Sequence, residues 1–173
     1  FSLSLRIPSW CENYKIHINN EEQKFETNNG YITITRKWKK KDVVKINFDM
    51  EVYRMMAHPS VNPINQYKNT VALRRGPVIY AIEGIDNNNT TDVTIAEEPN
   101  FLCEFKEDLH SGIVTIEGKT TENKNFLAIP YFALANRNKS NSDVWIQQEG
   151  KTNNNNTNWE GKLYQKYLIN INK

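Results

Sequence analysis

The chain is poor in the residues that usually announce chemistry. Its 173 residues include two cysteines, three histidines, seven glycines and six prolines. Cys11 and Cys103 are single and far apart, with no CxxC pair. His17, His58 and His110 have no ligand spacing, so neither a metal centre nor a bound cofactor is expected in this chain. Charge of one sign is also missing: 22 basic against 20 acidic side chains leave about +2, which argues against nucleic acid as the main partner. No apolar run approaches the roughly 18 residues of a spanning helix. With mean hydropathy −0.71, a membrane partner is not expected either. There is no glycine-rich phosphate loop and no stripe of basic and aromatic residues. The carboxylate pairs Glu21/Glu22 and Glu97/Glu98 are sequence neighbours, which in a strand point to opposite faces. They are poor candidates for paired acid and base work, which needs two carboxylates about 5–9 Å apart. An initiator Met is absent: the chain opens Phe1-Ser2-Leu3-Ser4-Leu5 and reads as a piece of something longer, so its compartment is left open.

What the chain has is alternation of period two. Phe1, Leu3, Leu5 and Ile7 face one way, and Tyr14, Ile16 and Ile18 alternate with Lys15 and His17. Asn29-Gly30 is a hairpin signal, followed by Ile32, Ile34 and Trp38 on one face. Val44, Ile46 and Phe48 alternate onward through Met50 and Val52 without a break. After a gap holding Pro59 and Pro63 comes Thr70–Ile82, apolar on both faces except in its middle. Later strand candidates are Val93–Ala96, Ile113–Glu117, Asn125–Ala135 and Asp143–Gln147, with Lys162–Asn172 a final strand or a short helix. Eight or nine short strands and no amphipathic helix predict an all-β, antiparallel β-sandwich of jelly-roll type. At this size about 9,000 Å² stays exposed from about 29,000 Å² unfolded, enough burial for a core without disulfides. The 25 asparagines predict long loops and left-handed backbone. Asn88, Asn89 and Asn138 fit the glycosylation pattern that such a composition produces by chance.

Few side chains stand out as candidates. Both cysteines read as free thiols, Cys11 buried and without a cation to activate it. Among the tryptophans, Trp38 and Trp145 fit strand cores, and Trp159 in the Asn-rich tail is the one expected to be exposed to a sugar. Arg74 and Arg75 interrupt an apolar strand. They are expected on opposite faces, at least one partly buried and paired with Glu83, Asp86 or backbone carbonyls of a neighbouring loop; the functional alternative is an arginine that reaches substrate from the domain edge. Gly76-Pro77 after them predicts a bulge or bend.

Three stretches in order carry a resemblance. They are Leu5-Arg-Ile-Pro-Ser-Trp10 with Gly30–Trp38; Ala57–Val61 with Val71-Ala-Leu-Arg-Arg-Gly-Pro-Val-Ile-Tyr80; and Ile129-Pro-Tyr-Phe-Ala-Leu-Ala-Asn-Arg137 with Val144-Trp-Ile146. Over residues 1–147 the series resembles the C-terminal portion of glycoside hydrolase family 127, the β-L-arabinofuranosidase family. The resemblance implies a motif set of Arg74, Arg75, Gly76, Pro77, Tyr80, Glu83, Asp86, Asn136 and Arg137. It implies a bacterial parent, cytoplasmic or secreted. The parent's catalytic (α/α)₆ barrel, with a cysteine nucleophile in a zinc–thiolate cluster, would lie outside this chain, so no catalytic residue carries over. One departure is Lys39-Lys40-Lys41-Asp42, where the family usually has Gly before Asp. The domain expectation is a β-sandwich over 1–147 and an Asn-rich loop or linker and tail over 148–173. The expected role is a non-catalytic domain supporting the barrel, with that barrel, a homodimer contact or a glycan as partners. The alternative is a carbohydrate-binding module.

Overall fold

The computed structural model describes residues 1–61, 69–150, 158–169 and 171. The chain divides into two compact units, Phe1–Met50 and Glu51–Lys173. The single sandwich expected over 1–147 is thus two units. Alternation runs through Met50 and Val52 with no Gly or Pro, so the sequence carries no mark of the boundary. The tail returns a strand to the second unit's sheet, one of the two forms expected for Lys162–Asn172. Pro63 and most of the run after Gly150 lie outside the described residues.

In the first unit, β1 (Ser2–Arg6) pairs antiparallel with β4 (Tyr31–Thr35). β2 (Tyr14–Ile18) lies between β3 (Glu21–Gln23) and β5 (Val44–Phe48). Ile32 and Ile34 of β4 meet Ile16 and Ile18 of β2 in one buried cluster, so the inward set of each alternation becomes the core of a small sandwich. Outward hydroxyls pair across the strands, Ser2 with Thr35 at 2.8 Å and Ser4 with Thr33 at 3.1 Å. Asn29 and Gly30 form the expected hairpin turn, both at positive φ, with Asn28 and Tyr31 exchanging backbone bonds of 2.7 and 2.9 Å.

The second unit is one curled ten-stranded sheet, antiparallel except at one pair. Its strands are β6 (Val52–Ala57), β7 (Thr70–Arg75), β8 (Val78–Glu83), β9 (Thr94–Ile95), β10 (Leu102–Lys106), β11 (Ile113–Lys119), β12 (Asn125–Pro130), β13 (Ser142–Asp143), β14 (Trp145–Gln148) and β15 (Tyr164–Leu168). The segment expected as Thr70–Ile82 is a hairpin, β7–β8, not a bulged strand. Gly76 at φ +54 opens its two-residue turn, and Arg75 pairs with Val78. β7 organises the sheet: β6 runs along one edge, and the other edge is shared by β14 on Thr70–Ala72 and β8 on Leu73–Arg75. Phe101 bridges Ile171, so the sheet's two ends approach each other.

The main core holds Leu73, Tyr80, Ile82, Ile116, Phe126 and Ala128. Ile129 and Ile113 lie in a second cluster with Ala133, Leu127 and Leu134. β12 therefore buries both of its faces, and the residues after it fold back as a 3-10 turn, Tyr131–Ala133, in place of the strand expected to Ala135. Seven of the eleven described non-glycine residues at positive φ are Asn, the structural use of that composition.

Lys41 is another of the eleven, at φ +75, in the turn before Asp42. Asp42 closes this turn by accepting Lys39 N–H at 2.8 Å and the Asn19 amide at 2.9 Å. The Lys39 backbone bond, then Asn19, hold the Asp42 carboxyl below its ordinary 3.8. Its stabilising effect is present above pH 3.8 and is lost as pH falls through the lowered value. A side chain in left-handed backbone costs about 1 kcal/mol or more, against roughly 0.5–1 for ordering a glycine. Lys41→Gly is expected to raise stability by about 0.5–1 kcal/mol. Urea unfolding checks it; a loss of stability would contradict the left-handed assignment.

Candidate functional site

The site grows from the end of β8. Ile82 points into the core, and Glu83, one residue on, is turned to the other face and is 1% exposed. A buried carboxylate needs partners. Its Oε1 accepts Ala135 N–H at 2.9 Å and its Oε2 accepts Arg137 Nη2 at 2.6 Å. The chain then makes a 3-10 turn, Gly84–Asp86, which brings Asp86 to the same guanidinium. Arg137 Nη1 donates to Asp86 Oδ1 at 2.7 Å, and Nη2 donates to Oδ2 as well. Arg137 is held well above the ordinary arginine range, first by the Asp86 bond and then, against burial, by Glu83.

Asn87 completes the cluster from a buried position. Its Nδ2 donates to Glu83 O at 2.8 Å and Leu127 O at 2.9 Å, while its Oδ1 accepts Leu127 N–H at 2.8 Å. Gly84 donates its N–H to Asn141 O at 2.8 Å, and Ile85 N–H reaches Ser140 Oγ at 2.9 Å. A Cβ on Gly84 would lie 3.0 Å from Ser140 Oγ, a tight contact that would press on that hydroxyl. Residues 83–87 and 135–141 are thus tied together at both ends. Asn136 adds a local bond from Nδ2 to Phe132 O at 3.2 Å.

The expected partner of Glu83 and Asp86 was Arg74 or Arg75; the structure gives that place to Arg137. Arg74 lies 5.0 Å from the Tyr53 ring centroid. Its Nε and Nη2 have no hydrogen-bond partner among the described residues. Arg75 instead lies beside the Tyr80 phenol and the Cys103 thiol. Burial pushes both groups up, and Arg75 pulls them down by less. Tyr80 also donates to Val114 O at 2.9 Å, and Pro77 is exposed in its turn. The nine motif residues therefore separate into the Glu83–Asp86–Arg137 cluster with Asn136 close by, the Arg75–Tyr80 pair, Arg74, and the Gly76–Pro77 turn. Asn87 was missed, because one Asn in Asn87-Asn88-Asn89 carries no distinguishing signal.

This carboxylate pair is unsuited to acid–base catalysis. Glu83 is out of solvent, and both acids are tied to one guanidinium. Trp38 packs against the first unit's core as expected, whereas Trp145 and Trp159 are both of intermediate exposure. Trp159 is half-buried, 4.9 Å from the His58 ring. Trp145 is half-exposed and lines a groove of about 320 Å³ between residues 89–93 and 141–147. Neither cysteine forms a disulfide among the described residues, and Cys11 Sγ–H donates to Asn13 O at 3.0 Å.

Two family models match the chain one after the other, as far as residue 147. Residues 1–50 match the β-L-arabinofuranosidase family-127 middle domain, and residues 52–147 match the glycoside hydrolase family 127 C-terminal domain. The chain belongs to glycoside hydrolase family 127. The family's domain boundary falls where the two compact units divide. Solved structures agree. A family-127 β-L-arabinofuranosidase from Geobacillus stearothermophilus T6 is 32% identical, with TM-score 0.72 over 86% of this chain and 26% of its own. A glycoside hydrolase and a family-127 β-arabinofuranosidase are each 29% identical, with TM-score 0.71 over 86% of this chain and 28% of theirs. The chain thus spans about a quarter of the length of these relatives. No curated protein matches it.

In this family-127 unit Arg137 is the cation that the Glu83–Asp86 corner needs. Arg137→Met would strand a buried carboxylate, and is expected to cost about 3 kcal/mol or more. Arg137→Lys is expected to recover part of that, having the charge but not the two-pronged geometry. Chemical denaturation checks both; an unshifted Arg137→Met midpoint would contradict the account.

Proposed function

We propose that this chain is the non-catalytic β-rich portion of a glycoside hydrolase resembling β-L-arabinofuranosidases, and that it supports a catalytic barrel belonging to the same protein. The observation that carries the reading is the match itself: the two models describe a middle and a C-terminal domain, and they take up residues 1–50 and 52–147. The surface fits a packing role. Tyr131 and Phe132, on the turn beside the ion cluster, are 59% and 68% exposed. Contiguous exposed apolar surface marks interaction sites, and these two adjacent rings contribute to such a surface.

The family's zinc–thiolate chemistry belongs, on this reading, to the barrel. The residues present here do not fit it. Cys11 and Cys103 lie in different units, and no group of three His, Cys, Asp or Glu is placed to hold a metal among the described residues.

Two measurements test the proposal. The chain alone, incubated with aryl β-L-arabinofuranosides, is expected to release no more phenol than buffer; turnover that tracks the protein through repurification would overturn it. Added to a family-127 barrel expressed without its own middle and C-terminal domains, the chain is expected to raise the barrel's thermal midpoint. A barrel equally stable without it would contradict the supporting role.

A further inference from the structure

We propose that the groove around Trp145 is a binding site for a neutral sugar, of the size of one ring at the end of a glycan. Its two walls are the 89–93 loop and the 141–147 segment, and both are held by backbone bonds. Asn89 N–H reaches Gly84 O at 2.8 Å and Gly84 N–H reaches Asn141 O at 2.8 Å, so one turn fixes both walls at that end. Farther along, Val93 N–H bonds Thr91 O at 2.9 Å and Gln147 N–H bonds Val93 O at 3.1 Å. The volume of about 320 Å³ is at the small end of ligand sites.

The lining decides the ligand class. Asn89, Asn141 and Gln147 bring side-chain amides, and Asp92 and Asp143 bring carboxylates. All five residues are exposed. One Asp143 oxygen accepts the Trp145 backbone N–H at 2.9 Å, which fixes that carboxylate at the start of β14. Amides donate and accept, carboxylates accept, and a sugar hydroxyl does both. Adjacent hydroxyls on a ring can therefore be met by neighbouring amide and carboxylate groups. The half-exposed indole supplies an apolar surface for the C–H face of the ring. Among the described residues no Lys or Arg lines the groove, and two carboxylates do, so phosphate, sulfate and nucleic acid are repelled. The site is separate from the Glu83–Asp86–Arg137 cluster, which lies behind the turn that holds the walls. The inference does not depend on the barrel-supporting role, since a domain can pack on a barrel with or without a sugar in this groove.

The test is a titration of the full chain followed by ¹H–¹⁵N NMR. The probes are neutral mono- and trisaccharides of arabinofuranose, xylose, galactose and glucose, with calcium chloride as a separate arm. At least one sugar series is expected to shift the Trp145 indole N–H and the Asn89, Asn141 and Gln147 side-chain amides saturably. Asp92→Ala and Gln147→Ala, both at exposed positions, are expected to weaken binding about tenfold while melting like the parent chain. Three results would overturn the proposal: sugars that leave these resonances unmoved, sugars that shift them equally in both variants, or shifts produced by calcium alone.

Discussion

Glu83 is the constraint around which the second unit is arranged. It continues β8 one residue past Ile82, where the strand's alternation turns it away from the main core and under the chain that follows β12. At 1% exposure its charge has no water to stabilise it. A carboxylate buried this way costs several kcal/mol unless cations and donors surround it. Arg137 and the Ala135 amide meet that need from a loop more than fifty residues away in sequence. Asp86 then holds the second prong of the same guanidinium. The ion pair is thus less a surface decoration than the reason two irregular loops have one conformation.

The sheet makes this arrangement available. β7 divides one edge between β14 and β8, so β14 and β8 diverge and β13 returns to β8 at Glu83. That divergence sets the 141–147 segment next to the 89–93 loop. β12 buries Phe126 and Ala128 in one cluster and Ile129 in another. Apolar burial on both faces fixes the position of the Tyr131–Ala133 turn, and with it the start of the loop that carries Arg137. Packing thus places the cation, the cation fixes the turn, and the turn holds the walls of the groove.

The sequence shows some of this directly. Alternation at Leu3–Ile7, Ile16–Ile18 and Ile32–Ile34 gives the first unit's core, because each strand there has one buried and one wet face. The Asn29-Gly30 turn is legible for the same local reason. β10 was not legible: its burial follows no period of two, since Leu102 and Phe105 are both exposed. The guanidinium that serves Glu83 and Asp86 was sought at Arg74 and Arg75, the nearest basic residues in sequence. Sheet topology, not chain distance, brought Arg137 there. Asn87 looked like its neighbours Asn88 and Asn89, and only its burial between Glu83 and Leu127 distinguishes it. Trp145 alternates like a core residue, yet its position on β14 falls where the sheet opens beside the 89–93 loop.

The central claim is that the Glu83 carboxylate anchors the Arg137 loop, and the Ala135 amide reports on it most directly. Ala135 is exposed, outside any strand, at φ +58, and its N–H donates to Glu83 Oε1. Native-state hydrogen exchange reads the free energy needed to open that bond. The account predicts that the Ala135 amide exchanges as slowly as the amides of β8 and β12, and that protection collapses to loop rates in Glu83→Gln. Fast exchange at Ala135 in the unaltered chain, or slow exchange that survives Glu83→Gln, would contradict it.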